Sequence, residues 1–150
     1  MPARLAFQKV APEAYQAVAV LSAYVSGQLD HTTHELLKLR ASIVNGCSFC
    51  VDMHSTDMLK NGEDPRRVVA VAAWRESGFF TDAERAVLAL TDDVTRLGEH
   101  GVTGDVWAEA ASHFDEAELA HLVLAIATIN VWNRIALSSL FAAPPLVARG

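Results

Sequence analysis

Helix start and stop signals recur along the whole chain, and no run of residues alternates apolar and polar side chains as a half-buried strand would. Thr81 with Glu84, and Asp115 with Glu118, have the spacing of a capping box, which opens helices. Pro12 suits the first turn of a helix. This pattern predicts an all-α fold of about six to eight helices. At 150 residues, the length predicts a single domain over residues 1–150.

Two further helix signals precede the segment that carries both cysteines. Thr32 and Glu35 have capping-box spacing, and Asn45-Gly46 is typical of a helix end because both residues tolerate the left-handed conformation. A new helix is predicted to start directly after Gly46. At the other end of the chain, we expect the last five residues to form a tail or an arm.

Charge and hydropathy exclude several classes of partner. The formal net charge is −6, with 18 acidic and 12 basic residues and no basic run, which argues against nucleic acid and anionic membranes. Polar and charged residues interrupt the most apolar stretch, residues 119–140, so we predict a buried helix there and no membrane span. Residues 1–9 hold no apolar run of signal-peptide length. We therefore expect a cytoplasmic protein.

The new helix carries the only two cysteines of the chain, Cys47 and Cys50, followed by His54. A helix advances about 100° per residue, so residues three and four apart share a face. Two thiols and an imidazole therefore lie along one line. In a reducing cytosol, such a pair is typical of a catalytic or metal-binding site more than of a structural disulfide.

The predicted place of Cys47 at a helix start favours thiol chemistry. Free backbone amides and the positive end of the helix dipole stabilise a thiolate there. A thiolate attacks a peroxide oxygen or a disulfide sulfur, and the sulfenic acid formed on one cysteine condenses with a second cysteine in reach. Cys50, three residues away, is within that reach.

Other interpretations of the same residues stay open. The cysteines could be two small buried hydrophobic residues. Cys47, Cys50 and His54 could bind zinc with His31 or His34 as a fourth ligand, although closed zinc sites usually draw ligands from separate segments. We predict no metal and no cofactor. Haem attachment of the c type is excluded by the residue after Cys50, which is not histidine, and no βαβ pattern suggests a thioredoxin-type domain.

Glu35 has two possible roles. It is the acidic residue of the predicted capping box with Thr32, and it precedes Cys47 by twelve residues. From position alone capping is favoured, but a carboxylate could also orient His54 or accept a proton. Polar residues in the apolar helix, Asn130, Trp132, Asn133 and Arg134, favour a subunit interface over a pocket lining.

Glu35, the run Ile43-Val44-Asn45-Gly46-Cys47-Ser48-Phe49-Cys50, and His54 together resemble the core motif of the AhpD-like alkylhydroperoxidase branch of the carboxymuconolactone decarboxylase family. The resemblance is strongest over residues 35–61 and extends more loosely through the helical pattern of most of the chain. It implies an AhpD-like helical fold that assembles into homotrimers or homohexamers.

The resemblance also implies a function, thiol-dependent reduction of alkyl hydroperoxides. It makes Cys50 the attacking thiolate and Cys47 the resolving thiol, and Glu35 and His54 a proton relay. An external dithiol, on a lipoyl-bearing or thioredoxin-like protein, would reduce the Cys47–Cys50 disulfide. One position departs from the pattern, because Phe49 stands where better-studied members have a histidine.

Two other functions remain as alternatives. A cofactor-free decarboxylase of the carboxymuconolactone type would use His54 as acid or base and would not need both cysteines. A non-enzymatic oligomeric or zinc-bound module would need no catalytic residue.

Overall fold

A computed structural model of the protein describes residues 3–146. Of the predicted tail, only Leu146 belongs to these residues, and the others lie outside them. Within residues 3–146 the protein forms eight α-helices and one short 3-10 helix, with no strand. The α-helices are α1 Phe7–Val10, α2 Pro12–Ser26, α3 His31–Asn45, α4 Ser48–Lys60, α5 Pro65–Ala70, α6 Asp82–Thr95, α7 Gly104–His113 and α8 Glu116–Ser139. The 3-10 helix is Val71–Ala73. The predicted all-α class and helix number are confirmed.

Most helix boundaries lie where the sequence places them. Both amide-to-side-chain bonds of a capping box are present at the start of α6 and of α8, as predicted. Gly46 ends α3 in the left-handed conformation, with φ +70°, where a side chain would be strained. This sharp stop allows α4 to begin only two residues later.

The predicted capping box at the start of α3 is wrong. Asp30 is the N-cap, and its Oδ1 accepts a hydrogen bond from the backbone N–H of Thr33 at 3.1 Å. Thr32 is therefore already inside the helix, and Glu35 lies in its second turn. Two short features were also not predicted: α1, and the change from α5 to a 3-10 helix at Val71.

The long helix α8 lies at the centre of the fold and packs against α2, α3 and α6. By length and composition α8 could span a membrane, and 44% of its apolar window is buried inside the fold. The largest core cluster joins these elements through Val25, Leu37, Ala41, Val87, Leu90, Leu122, Ala125, Ile126 and Ile129. Burying this much aliphatic surface provides most of the favourable free energy of folding.

A buried amide network fixes the end of α3 against α8. The Nδ2 of Asn45 donates to the Oδ1 of Asn130 and to the Oδ1 of Asn133, both at 2.9 Å. Asn133 in turn donates to the Oγ of Ser42 at 3.1 Å, and its side chain is fully buried. These asparagines therefore hold the α3–α4 corner in place within one protomer, and the predicted interface role does not apply to Asn133.

Candidate active site

The site is built on the first turn of α4, which follows Gly46 directly. Cys47 is the N-cap, as expected, and its Sγ accepts a hydrogen bond from the backbone N–H of Cys50 at 3.3 Å. A sulfur in this position takes the place that Ser or Asp usually holds at a helix start. In the reduced protein, a thiolate at this position would be stabilised by the free amides of the first turn.

The two sulfurs are joined in a Cys47–Cys50 disulfide, with the Cα atoms 5.3 Å apart, within the usual range for such bonds. Cys47 is 1% exposed and Cys50 2% exposed. The pair is thus within bonding distance without any rearrangement of the helix, as its spacing predicts.

Because Asp30 and not Thr32 is the N-cap of α3, Glu35 is not part of a capping box, and its carboxylate is free to take part in the site. Its side chain is buried, and one oxygen, Oε1, lies 2.5 Å from the Nζ of Lys38. The other oxygen, Oε2, lies 3.8 Å from the Nδ1 of His54, beyond hydrogen-bonding distance. Helices α3 and α4 therefore bring together two residues that are nineteen apart in the sequence.

His54 is buried one turn beyond Cys50 on α4, and neither of its ring nitrogens has a hydrogen-bond partner among the described residues. Burial, with smaller contributions from the charges of Lys38 and His34, lowers the pKa of His54 from 6.5 to about 3. His34 is similar: burial first, then Lys38 and His31, lowers its pKa to about 4. Both imidazoles are neutral at neutral pH, and a neutral imidazole accepts a proton.

A cavity of about 260 Å³, here called the main cavity, lies between α2, α3, α4 and α8. Cys50 and His54 line it, and Cys47 does not. Most of the remaining wall is apolar or aromatic, with Tyr15, Val25, Phe49, Met53, Ile129, Trp132, Ala136 and Phe141. The cavity can thus hold a small organic molecule with an apolar body against the sulfur of Cys50.

Glu35 borders a different space. It does not line the main cavity but a smaller polar hollow of about 180 Å³, with Thr32, Asn61 and Glu63 among its neighbours. The Glu35–His54 pair therefore lies between the main cavity on one side and the polar hollow on the other. A proton that leaves a group in the main cavity through this pair would reach solvent through the polar hollow and not through the main cavity.

Two lining residues, Lys38 and Trp132, were not assigned to the site from the sequence, and a third, His34, was considered only as a zinc ligand. Lys38 and His34 line the main cavity from α3, and Trp132, predicted at an interface, lines it from α8, with its ring 5.0 Å from that of Tyr15. For Lys38 the sequence does contain a signal, because Lys38 lies one turn from Glu35 on the same face of the helix. Phe49, between the cysteines, packs edge-on against Phe141 at 5.6 Å.

Metal ligation can be tested on the same geometry. Among residues 3–146, no group of three or more His, Cys, Asp or Glu side chains is arranged to hold a metal ion. His31, a suggested fourth zinc ligand, instead lies 3.0 Å from the Nδ2 of Asn61 through its Nε2.

The chain matches the model of a protein family and a bacterial relative. Residues 11–93 match the model of the carboxymuconolactone decarboxylase family. The uncharacterised protein YdfG of Bacillus subtilis is 35% identical over 139 residues, which are 92% of this chain and 95% of YdfG.

Solved structures share the fold. A protein of unknown function from Agrobacterium tumefaciens, provisionally described as the antioxidant defence protein AhpD, superposes with a TM-score of 0.93 at 39% identity, over 97% of this chain and 100% of that one. An uncharacterised peroxidase-related protein with an alkylhydroperoxidase AhpD core, from Ralstonia eutropha, gives a TM-score of 0.80 at 18% identity, over 91% and 74% of the two chains. The AhpD-like fold is thereby confirmed.

Proposed function

This chain belongs to the carboxymuconolactone decarboxylase family, and on that premise we propose that it is a thiol-dependent peroxidase that reduces alkyl hydroperoxides through Cys47 and Cys50. The observation that carries the proposal is the unequal placement of the two sulfurs. Cys50 lines the main cavity, whereas Cys47 lies behind it at the helix N-cap, in disulfide contact with Cys50.

The reaction follows from that placement. The thiolate of Cys50 attacks the terminal oxygen of the hydroperoxide, the O–O bond breaks, and the alkoxide takes up a proton to leave as the alcohol. Cys50 is now a sulfenic acid, oxidised by two electrons. The thiol of Cys47 attacks that sulfur, water leaves, and the Cys47–Cys50 disulfide forms. The disulfide seen in the structure is the expected product of this step.

The disulfide must then be reduced from outside the chain. A dithiol supplies two electrons and two protons by thiol–disulfide exchange and is itself oxidised to a disulfide. We propose a lipoyl-bearing or thioredoxin-like protein as this reductant. We also propose that the protein works in the cytoplasm, as a homotrimer or homohexamer.

Glu35 and His54 are proposed to move the proton of the attacking thiol. His54 lines the main cavity beside Cys50 in its neutral form, so it can accept a proton. Its strongly lowered pKa means that the imidazolium is costly in this buried place, so the proton does not stay there. The carboxylate of Glu35, 3.8 Å from Nδ1, receives it. His54 thus passes the proton on and does not store it.

Single cysteine variants test the proposal. With cumene hydroperoxide and dithiothreitol, Cys50→Ser should abolish peroxide consumption. Without dithiothreitol, Cys47→Ser should still react once, giving a sulfenic acid on Cys50 that dimedone traps. Wild-type turnover by Cys50→Ser would refute the assignment of the attacking thiol.

A cofactor-free decarboxylase is the second candidate, favoured by the neutral His54 on the wall of a cavity that fits a small organic acid. The double variant Cys47→Ser with Cys50→Ser separates the two functions. It should lose all peroxidase activity, whereas decarboxylation of a lactone acid by the same variant would favour the alternative.

A further inference from the structure

Lys38 contacts only one of the two oxygens of Glu35. Its Nζ lies 2.5 Å from Oε1, while Oε2 has no hydrogen-bond partner in the described part of the chain and lies 3.8 Å from the Nδ1 of His54. An unpartnered buried carboxylate oxygen is unfavourable, so it keeps its position only if something else fixes the group. The ammonium of Lys38 is the contact that does so.

Lys38 also sets the charge of the main cavity. It is the one charged side chain among the described residues that line this cavity, because His34 and His54 are neutral there. After burial, its positive charge is the next cause that lowers the pKa of His54. Like burial, this positive charge disfavours the imidazolium form of His54.

The other ionisable groups near Lys38 come from three helices. Glu35 and His34 lie on α3, Cys50 and His54 on α4, and Tyr15 on α2. The described part of α8 adds no ionisable side chain to the cavity wall. Any change in the charge of Lys38 therefore acts on a small and defined set of partners.

We propose that Lys38 is a positioning residue of this site: its ammonium holds Oε1 of Glu35 so that Oε2 faces the Nδ1 of His54. The inference rests on the proposed relay, in which the proton passes from Cys50 through His54 to Glu35. Lys38 itself transfers no proton in this relay.

Three variants test this role. Lys38→Met removes the charge and keeps the length of the side chain, and Lys38→Arg keeps the charge. Lys60→Met is a matched control, since Lys60 is exposed at the far end of α4. The first readout is the pH titration of the His54 ring by NMR in the disulfide form. The second is kcat and KM for cumene hydroperoxide.

In Lys38→Met, the pKa of His54 should rise but stay below 6.5, because burial, the largest cause, remains. The kcat should fall about tenfold with little change in KM, a part of what general acid–base catalysis contributes. Lys38→Arg should restore both properties, and Lys60→Met should change neither. A Lys38→Met protein that keeps either the wild-type His54 titration or the wild-type kcat would overturn the inference.

The two proposals fail in different ways. If the wild-type protein consumes no hydroperoxide, the proposed function is wrong, but the titration of His54 still decides whether Lys38 controls the protonation of that ring. If the wild type is active and only the titration is unchanged in Lys38→Met, the role of Lys38 is wrong and the peroxidase stands.

Discussion

Acidification should destabilise this protein through two buried histidines well before its carboxylates are protonated. His34 and His54 are each 5% exposed, and burial lowers their pKa values from 6.5 to about 4 and about 3. In the unfolded chain, both rings regain ordinary values near 6.5. Well above pH 6.5, the folded and unfolded states hold the same number of protons at these sites, so stability does not change there.

Below pH 6.5 the unfolded chain binds two protons that the folded protein excludes, so the free energy of unfolding falls. We integrate the difference in bound protons between the unfolded and folded states from pH 7.5 to pH 5.0. The free energy of unfolding falls by about 2 kcal/mol for each histidine, and by about 4 kcal/mol for both together. Domains of this kind are stable by about 5–15 kcal/mol, so the loss is a large fraction of the total.

Urea unfolding of the oxidised protein at pH 7.5 and pH 5.0 measures this loss directly. His54→Gln and His34→Gln should each reduce the difference between the two pH values by about 2 kcal/mol, whatever they do to stability at pH 7.5. His100→Gln, at an exposed turn, controls for the substitution itself. If His54→Gln leaves the wild-type difference intact, the buried neutral state of this ring is refuted.

Three further substitutions test the architecture of the site. Glu35→Gln should lower kcat by about 100-fold with KM nearly unchanged, because it removes the final proton acceptor while keeping the shape, as steady-state peroxidase kinetics would show. Asp30→Ala should lower the free energy of unfolding, measured by thermal unfolding, by about 1 kcal/mol, and Thr32→Ala should lower it much less, because Asp30 is the N-cap. Equal losses would indicate that Thr32 also caps α3. Asn133→Leu should lower the free energy of unfolding in urea by about 2–3 kcal/mol, because it removes two hydrogen bonds between α8 and polar groups of α3.

Local signals in the sequence were enough to predict the class of fold and most helix ends. Capping boxes and Asn-Gly stops act over four or five residues, so they can be read without knowing the tertiary structure. The cysteine spacing and the helix start at Cys47 are local in the same sense, and the structure places both as predicted.

The role of Glu35 could not be decided locally. Asp30 and Thr32 are both acceptable N-caps, only two residues apart. Asp is the better N-cap by itself, whereas the capping-box spacing to Glu35 favours Thr32. With Asp30 as the N-cap, Glu35 lies beside Lys38 and opposite His54 on another helix. Whether Glu35 caps its own helix or faces His54 depends on the packing of α3 against α4, and no short-range sequence pattern describes that packing.

The early end of α5 has a long-range cause as well. Arg40, on α3, donates to the backbone carbonyls of Val71 and Ala72 at 3.2 and 3.0 Å, so these groups are satisfied outside a regular helix. The same guanidinium is paired with Asp92 on α6. The apolar spacing around Val71 is that of a continuing α-helix. The side chain of Arg40, about thirty residues away, instead replaces the hydrogen bonds that such a helix would make.

The central claim is that Cys50 attacks a hydroperoxide and that Cys47 resolves the product. The most direct measurement is the intact mass and free-thiol count of fully reduced protein before and after one equivalent of cumene hydroperoxide. We predict the loss of both thiols together with the mass of two hydrogen atoms, and a peptide map that links Cys47 to Cys50. Two thiols that remain free and unmodified after the pulse would contradict the account.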